Sequence, residues 1–436
     1  MPSLIRESST DPAKRPQGVS QWANVWRHFK RDKRAVVGLW LVIALFLVAI
    51  AAPLIASERP LILVQDGEWS SPWLAAFFAP GETGEMALNK VFNWALLMLG
   101  VSLALAWPLR LLYRAAGKWP VVVIAVLVAA AVAAPFVGTT RRIDSTRYRE
   151  LAVELKETGR GWAVFPLIPY GPIEQPVEAR PYQPPSWAAS LRAQADGDKP
   201  RGEGEPERRG LGTNLMGTDN VGRDVFVRVL YGARVSLSVG FVAVAIYIAI
   251  GTMIGAIAAY YGGTVDFVIS RIIEIVMCFP TFLLILTIVA FLEKRSIFNI
   301  MIVIGLTGWT GVARLVRGEV LREMRKEYVP AARALGVGDL RLILRHLLPN
   351  SIAPVLVAAT FGVAGAILTE TGLSFLGLGV QVPTPSWGEL LNQARAGVAD
   401  YWWLTLFPGL LIFITVTIYN MVGEGVRDAL DPRLRS

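Results

Sequence analysis

Residues 328–350 read Tyr328-Val-Pro-Ala-Ala-Arg-Ala-Leu-Gly-Val-Gly-Asp-Leu-Arg-Leu-Ile-Leu-Arg-His-Leu-Leu-Pro-Asn350. The stretch is basic and sits between apolar runs long enough to cross a bilayer, so it reads as a water-facing segment of a membrane chain. Gly336 supplies backbone freedom for a turn, and Gly338-Asp339 offers a break followed by a helix start. Beyond it Leu340, Ile343, Leu344, Leu347 and Leu348 recur at helical spacing, which predicts an apolar face able to bury against a partner. Pro349 is expected to stop that helix before the next span begins.

The flanking sequence has the composition of a polytopic membrane protein. Of the 436 residues 53% are hydrophobic and only 18% charged, with mean hydropathy +0.46. A soluble domain would not carry so many unbroken apolar runs of about 20 residues. Candidate spans fall near 36–56, 92–113, 119–138, 235–260, 272–292, 297–316, 351–373 and 404–423, roughly eight helices. The net charge of +9 would suggest nucleic acid in a soluble protein. Here the basic residues cluster at the ends of apolar runs, where they set orientation against membrane lipid, and no nucleic-acid partner is expected.

Four clusters define one side: the basic N-terminus, Arg110/Arg114/Lys118, the 314–345 segment, and Arg427/Arg433/Arg435. Placed in the cytoplasm, they give an even number of spans with both termini inside, leaving Arg141, Arg142, Lys294 and Arg295 outside against the rule. The single Cys278 lies in an apolar run and allows no internal disulfide, and His28 and His346 are too far apart in sequence to suggest a metal site. The first apolar run follows a polar basic segment without an Ala-x-Ala-like exit, so no cleavable signal peptide is expected.

Residues 1–20 are polar and expected to be disordered. Trp22, Trp26 and Phe29, interleaved with Arg27, Lys30 and Arg31, predict an interfacial amphipathic helix. In the long outer segment, 145–157 reads as a short charged helix, the Pro- and aromatic-rich 162–187 as an ordered non-helical wall, and 196–210 as a flexible linker. Glu274, close to Arg271, reads as an interfacial pair, and Gly251/Gly255 as a site of close helix contact.

Four motifs carry a family resemblance. Ala331-Ala332, Gly336 and Leu348-Pro349 resemble the "EAA" coupling loop of ABC importer permeases, with Pro330 in place of that motif's glutamate and His346 in place of its usual isoleucine. The run Gly217-Thr218-Asp219-Asn220-Val221-Gly222-Arg223-Asp224, continuing through Tyr231-Gly232-Ala233-Arg234 to Leu237, resembles the signature of peptide and nickel permeases. Glu370-Thr371-Gly372, Gly377, Gly379 and the tail Gly423-Glu424-Gly425-Val426-Arg427-Asp428-Ala429-Leu430-Asp431-Pro432 are similar to the same family's closing segments.

The resemblance implies an all-α polytopic membrane fold: a six-span, type I-like permease core with an inserted helix pair and an extracytoplasmic segment in the first outer loop. The division is 1–35 tail and amphipathic helix, 36–56 first span, 57–210 insertion with two extra spans near 92–138, and 211–436 core with a coupling loop over 317–350. It implies a subunit of an ATP-driven importer in the bacterial inner membrane, taking di- or oligopeptides from an extracytoplasmic solute-binding protein. Its partners would be a homologous sister permease and two ABC ATPase subunits. The chain has no G-x-x-x-x-G-K-[ST] phosphate loop. It is therefore expected to be no enzyme and to hold no cofactor, with ATP and Mg bound by the partner ATPases.

Nickel or other small-solute uptake by the same machinery, and a non-transporting membrane scaffold for an ATPase, are the alternatives. ATPase coupling falls to Ala331, Ala332, Gly336, Asp339, Leu344, Leu348 and Pro349. The signature and possible gate comprise Gly217, Thr218, Asp219, Gly222, Arg223, Asp224, Glu370, Gly377 and Gly379. The elbow at 217–224 is open between a structural bend and substrate contact, and Glu370 between a pore-lining carboxylate and polar glue between helices.

Overall fold

The computed structural model describes residues 21–78, 86–116, 118–136, 146–175, 181–188, 214–293 and 296–431. The expected disordered tail 1–20, the linker 196–210 and the outward-facing Arg141, Arg142, Lys294 and Arg295 lie outside the described residues. The amphipathic helix α1 spans Gln21–Phe29. Trp26 stacks on Phe29 at 5.7 Å, and Phe29 packs with Ala35, Val422 and Ala429. A turn then leads into α2, Lys33–Ile55, whose first N–H groups are capped by Asp32 accepting from Arg34 N at 2.9 Å.

The segment after α2 opens with β1 (Ile62–Gln65) and β2 (Glu68–Ser70), followed by α3 (Pro72–Phe78). Next come α4 (Met86–Ala116) and α5 (Lys118–Ala133). These two lie side by side: Lys90 Nζ donates to Phe136 O at 3.1 Å and Trp94 Nε1 to Ala129 O at 3.4 Å, the pairing of an antiparallel hairpin. The expected spans 92–113 and 119–138 fall on this pair, but among the described residues neither helix counts as long and apolar enough to cross a membrane, and Val122–Phe136 is a shorter apolar helix. The charged helix appears as α6, Tyr148–Glu157.

Of the 162–187 wall, residues 165–175 are non-helical as expected, but its start supplies a strand that sequence reading did not anticipate. That strand, β3 (Gly161–Val164), pairs antiparallel with β1, and the sheet order is β2-β1-β3. The overlooked signal is Asp66-Gly67, a two-residue hairpin turn between alternating residues, with both φ values positive at 52° and 85°.

The remaining helices are α7 (Val225–Tyr261), α8 (Gly263–Met277), α9 (Thr281–Phe291), α10 (Ile297–Glu323), α11 (Tyr328–Ala334), α12 (Asp339–Leu342), α13 (Leu348–Phe375), α14 (Trp387–Gln393) and α15 (Trp402–Leu430). Among the described residues five helices are long and apolar enough to cross a membrane, or six if the bent pair α8 and α9 counts as one span. The expected straight span over 272–292 is therefore corrected: the chain bends by 81° between Met277 and Thr281. Pro280 has no N–H to continue the ladder and disfavours helical backbone at Phe279, so the break is local chemistry. Arg271 pairs with Glu274 at 2.6 Å, as the sequence indicates.

Gly251 and Gly255 let α7 lie directly on α10; a Cβ at Gly251 would meet Trp309 O at 2.7 Å. Pro53, inside α2, leaves the carbonyl of Ala49 without its usual helical donor. Arg234 of α7 replaces it, donating from Nε to Ala49 O at 2.7 Å and from Nη2 to Ile50 O at 3.0 Å. The same guanidinium donates to Asn89 Oδ1 at 3.1 Å and Asn93 Oδ1 at 3.0 Å on α4, so the insertion is joined to the core through a buried cation.

Candidate functional site

The 328–350 segment is a built turn. Gly336 has φ 78°. Its N–H donates to Arg333 O at 2.9 Å, and Val337 N donates to Ala332 O at 3.1 Å, the paired bonds that close a helix on a left-handed glycine. Ala331 O accepts from Leu335 N in the same closure at 3.1 Å.

Asp339 opens α12, and its Oδ1 accepts a hydrogen bond from Tyr260 OH at 2.6 Å. The Arg333 guanidinium lies 5.0 Å from the Tyr260 ring centroid. At the preceding corner, buried Glu323 accepts from Lys326 Nζ at 2.7 Å and Tyr328 OH at 3.1 Å.

Two expectations are revised here. Pro349 does not stop the helix: the chain runs helically from Asp339 to Phe375. A π-helical turn over Ile343–Leu347, in which Leu348 N donates to Ile343 O, shifts the ladder and accommodates the proline near the start of α13. The apolar face also divides. Ile343 and Leu347 are buried with Leu342 inside the chain, and Leu348 is half-buried, whereas Leu335, Leu340 and Leu344 are 84%, 66% and 47% exposed. The surface offered outward is thus Leu335, Leu340 and Leu344 on a rigid turn.

The elbow at 217–224 has the opposite character. Gly217 also has a positive φ, 79°, but it is enclosed: a Cβ would meet Gln183 O at 2.6 Å and the Trp403 ring at 2.8 Å. Thr218 exchanges hydrogen bonds with Gln183, its N donating to Gln183 O at 2.8 Å and its Oγ1 accepting from Gln183 N at 2.7 Å. Gly222, at φ 86°, completes the turn.

Asp219 is fully buried and accepts from Val221 N at 3.0 Å, Arg223 N at 2.9 Å and Arg223 Nε at 2.7 Å. Arg228 Nε lies 3.2 Å from the same carboxylate as an ion pair, out of line for a hydrogen bond. Arg228 Nη2 donates to Glu389 Oε2 at 2.6 Å and Nη1 to Pro172 O at 3.1 Å. Glu389 in turn accepts from Gln393 Nε2. Burial and the neighbouring Arg228 lower the Arg223 pKa. Asp224 caps α7 by accepting from Val227 N at 3.0 Å, and burial pushes its carboxyl up to about 6.

Glu389 and Gln393 are residues that sequence reading missed. Their signal is the capping box Ser386-x-x-Glu389, where Ser386 Oγ accepts from Glu389 N at 3.1 Å. Tyr260 carried no signal, since its partner is far away in sequence.

Glu370 is fully buried in α13. Ser374 Oγ donates to its Oε1 at 2.7 Å and accepts from Val380 N at 3.2 Å. Gly377 at φ 79° ends α13 with the same paired closure seen at Gly336. Gly379 lies against Ser374, where a side chain would overlap it. The structure therefore holds two assemblies apart: the elbow with α14 at one end of α7, and the 328–350 turn at the other.

Residues 251–436 match the family "Binding-protein-dependent transport system inner membrane component", and residues 20–67 match "N-terminal TM domain of oligopeptide transport permease C". The dipeptide transport system permease DppC of Alkalihalophilus pseudofirmus is 46% identical over 221 residues, covering 51% of this chain and 72% of that protein. The oligopeptide transport system permease OppC of Bacillus subtilis is 42% identical over 220 residues, covering 50% and 72% respectively. Among solved structures, a chain of the inward-facing MetNI methionine ABC transporter covers 46% of this chain and 96% of its own length, with 15% identity and TM-score 0.38. The chain belongs to the inner-membrane permease family of binding-protein-dependent ABC importers.

Proposed function

We propose that this chain, paired with a homologous sister permease, forms the path by which an importer moves di- or oligopeptides across the bacterial inner membrane. An extracytoplasmic binding protein delivers the peptide, and two ATPase subunits, which bind the ATP and Mg, drive access from one side to the other. The relatives' names give the substrate class. The observation that carries the mechanism is the 328–350 turn: three exposed leucines on a closed, hydrogen-bonded lever offer an apolar contact to a partner. Both termini and this turn lie in the cytoplasm in this reading.

Reconstituted complex supplied with its binding protein should accumulate labelled peptide inside vesicles only when ATP is present; ATP-independent accumulation, or none, removes the transport reading. Deleting 328–350 should abolish co-purification of the ATPases while membrane insertion persists.

The division into a core and a 57–210 insertion follows the same reading. The outer sheet presents Trp69, 71% exposed, edge-on to Trp162 at 5.7 Å, with Leu167 exposed nearby in sequence. These residues extend the receptor-docking face. Unchanged receptor affinity in a Trp69→Ala/Trp162→Ala chain would exclude that role.

A further inference from the structure

The helix α7 is continuous for 37 residues, about 55 Å at the rise of an α-helix, and it is gripped at both ends. Its outer end enters the buried lattice of Asp219, Arg223, Arg228 and Glu389, which also reaches Pro172 of the outer segment. Its inner end carries Tyr260, 7% exposed, whose hydroxyl holds Asp339 and whose ring underlies Arg333. Asp339 and Arg333 belong to the two arms on either side of Gly336, so one side chain fixes the attitude of both. Between the ends, the backbone contacts at Gly251 and Gly255 seat α7 on α10, the helix that leads into the turn.

We propose that Tyr260 is a positioning residue through which α7 transmits the state of the outer face to the cytoplasmic turn, so that receptor docking is read by the ATPase. This rests on the reading of 328–350 as the ATPase contact. The hydroxyl matters because a short bond to a carboxylate is directional and charge-assisted. Without it the turn keeps its own paired closure and its buried Val329, Leu342 and Leu347, but loses the directional tie between Asp339 and α7. Coupling of this kind needs an element whose two arrangements both ends bias, and α7 touches both ends directly.

The test uses the complete complex in nanodiscs, comparing ATP hydrolysis with and without peptide-loaded binding protein. In Tyr260→Phe, which keeps the ring under Arg333, the ATPases should co-purify in normal amount while the stimulation ratio falls about fivefold, the low end of ordinary coupling between sites. Asp339→Asn, which retains an acceptor oxygen but removes the charge, should fall between wild type and Tyr260→Phe. Wild-type stimulation in Tyr260→Phe overturns the proposal. So does loss of the ATPases from that variant, which would make Tyr260 a structural anchor only. Failure of the underlying reading is distinct: the 328–350 deletion would then still co-purify the ATPases.

Discussion

Gly217 and Gly336 have nearly the same backbone, φ 79° and 78°, at opposite ends of the molecule, yet their surroundings differ completely. Around Gly217 every direction is filled by Gln183 and Trp403, and the adjacent carboxylates and guanidiniums are buried and paired. Around Gly336 no atom lies within 4 Å of a would-be Cβ, and the neighbouring leucines face outward. The same turn chemistry thus closes a finished, internally satisfied joint in one place and presents an unfinished surface in the other. A region complete within the chain should respond to mutation through stability. One waiting for a partner should respond through assembly.

The largest effect should come from Glu389→Ala. It removes the shorter of the two buried ion pairs of Arg228, leaving only the Asp219 carboxylate at 3.2 Å, which costs about 3 kcal/mol, read as a fall in the unfolding midpoint of the purified chain. A loss below about 1 kcal/mol would mean the elbow is not the closed joint described here.

At the other end, Leu335→Asp/Leu340→Asp should change unfolding by no more than about 0.5 kcal/mol per site. The same pair should weaken ATPase binding by about 2 kcal/mol or more, measured by titration.

The glycines sharpen the contrast. Gly336→Ala incurs only left-handed strain, about 1–2 kcal/mol, whereas Gly217→Ala adds the collision with Gln183 and Trp403 and should be clearly worse in the same melts.

The smallest effect is the pH response of the elbow. The Asp224 carboxyl has a folded pKa of about 6, above its unfolded value. Its stabilising contribution is complete below the ordinary carboxylate range and is lost as pH rises through about 6. Stability should fall by roughly 1 kcal/mol between pH 5 and pH 7 from this group, and Asp224→Asn, which keeps a capping oxygen, should flatten that slope.

Spans, the amphipathic α1 and the turn at Gly336 were legible because their causes are local: apolar run length, helical periodicity, and a glycine where the backbone needs positive φ. The bend at Pro280 and the hairpin at Asp66-Gly67 were equally local, and the signals were present in the residues. The π-helical passage through Ile343–Leu347 was not legible, since it depends on how the second arm must rotate to bury Leu342, Ile343 and Leu347 while Leu344 stays outside. The pairing of Arg228 with Glu389, of Tyr260 with Asp339 and of Arg234 with Asn89 and Asn93 joins residues separated by 161, 79, 145 and 141 positions. No periodicity encodes such contacts.

Pro53 frees a carbonyl in α2, Arg234 answers it, and the cation so placed shares its remaining hydrogens with two asparagines of α4. One guanidinium thus ties three helices together at a single point, so a shift of any one of them is felt by the other two. Removing Asn89 and Asn93 would leave Arg234 with the carbonyls of Ala49 and Ile50 as its hydrogen-bond acceptors.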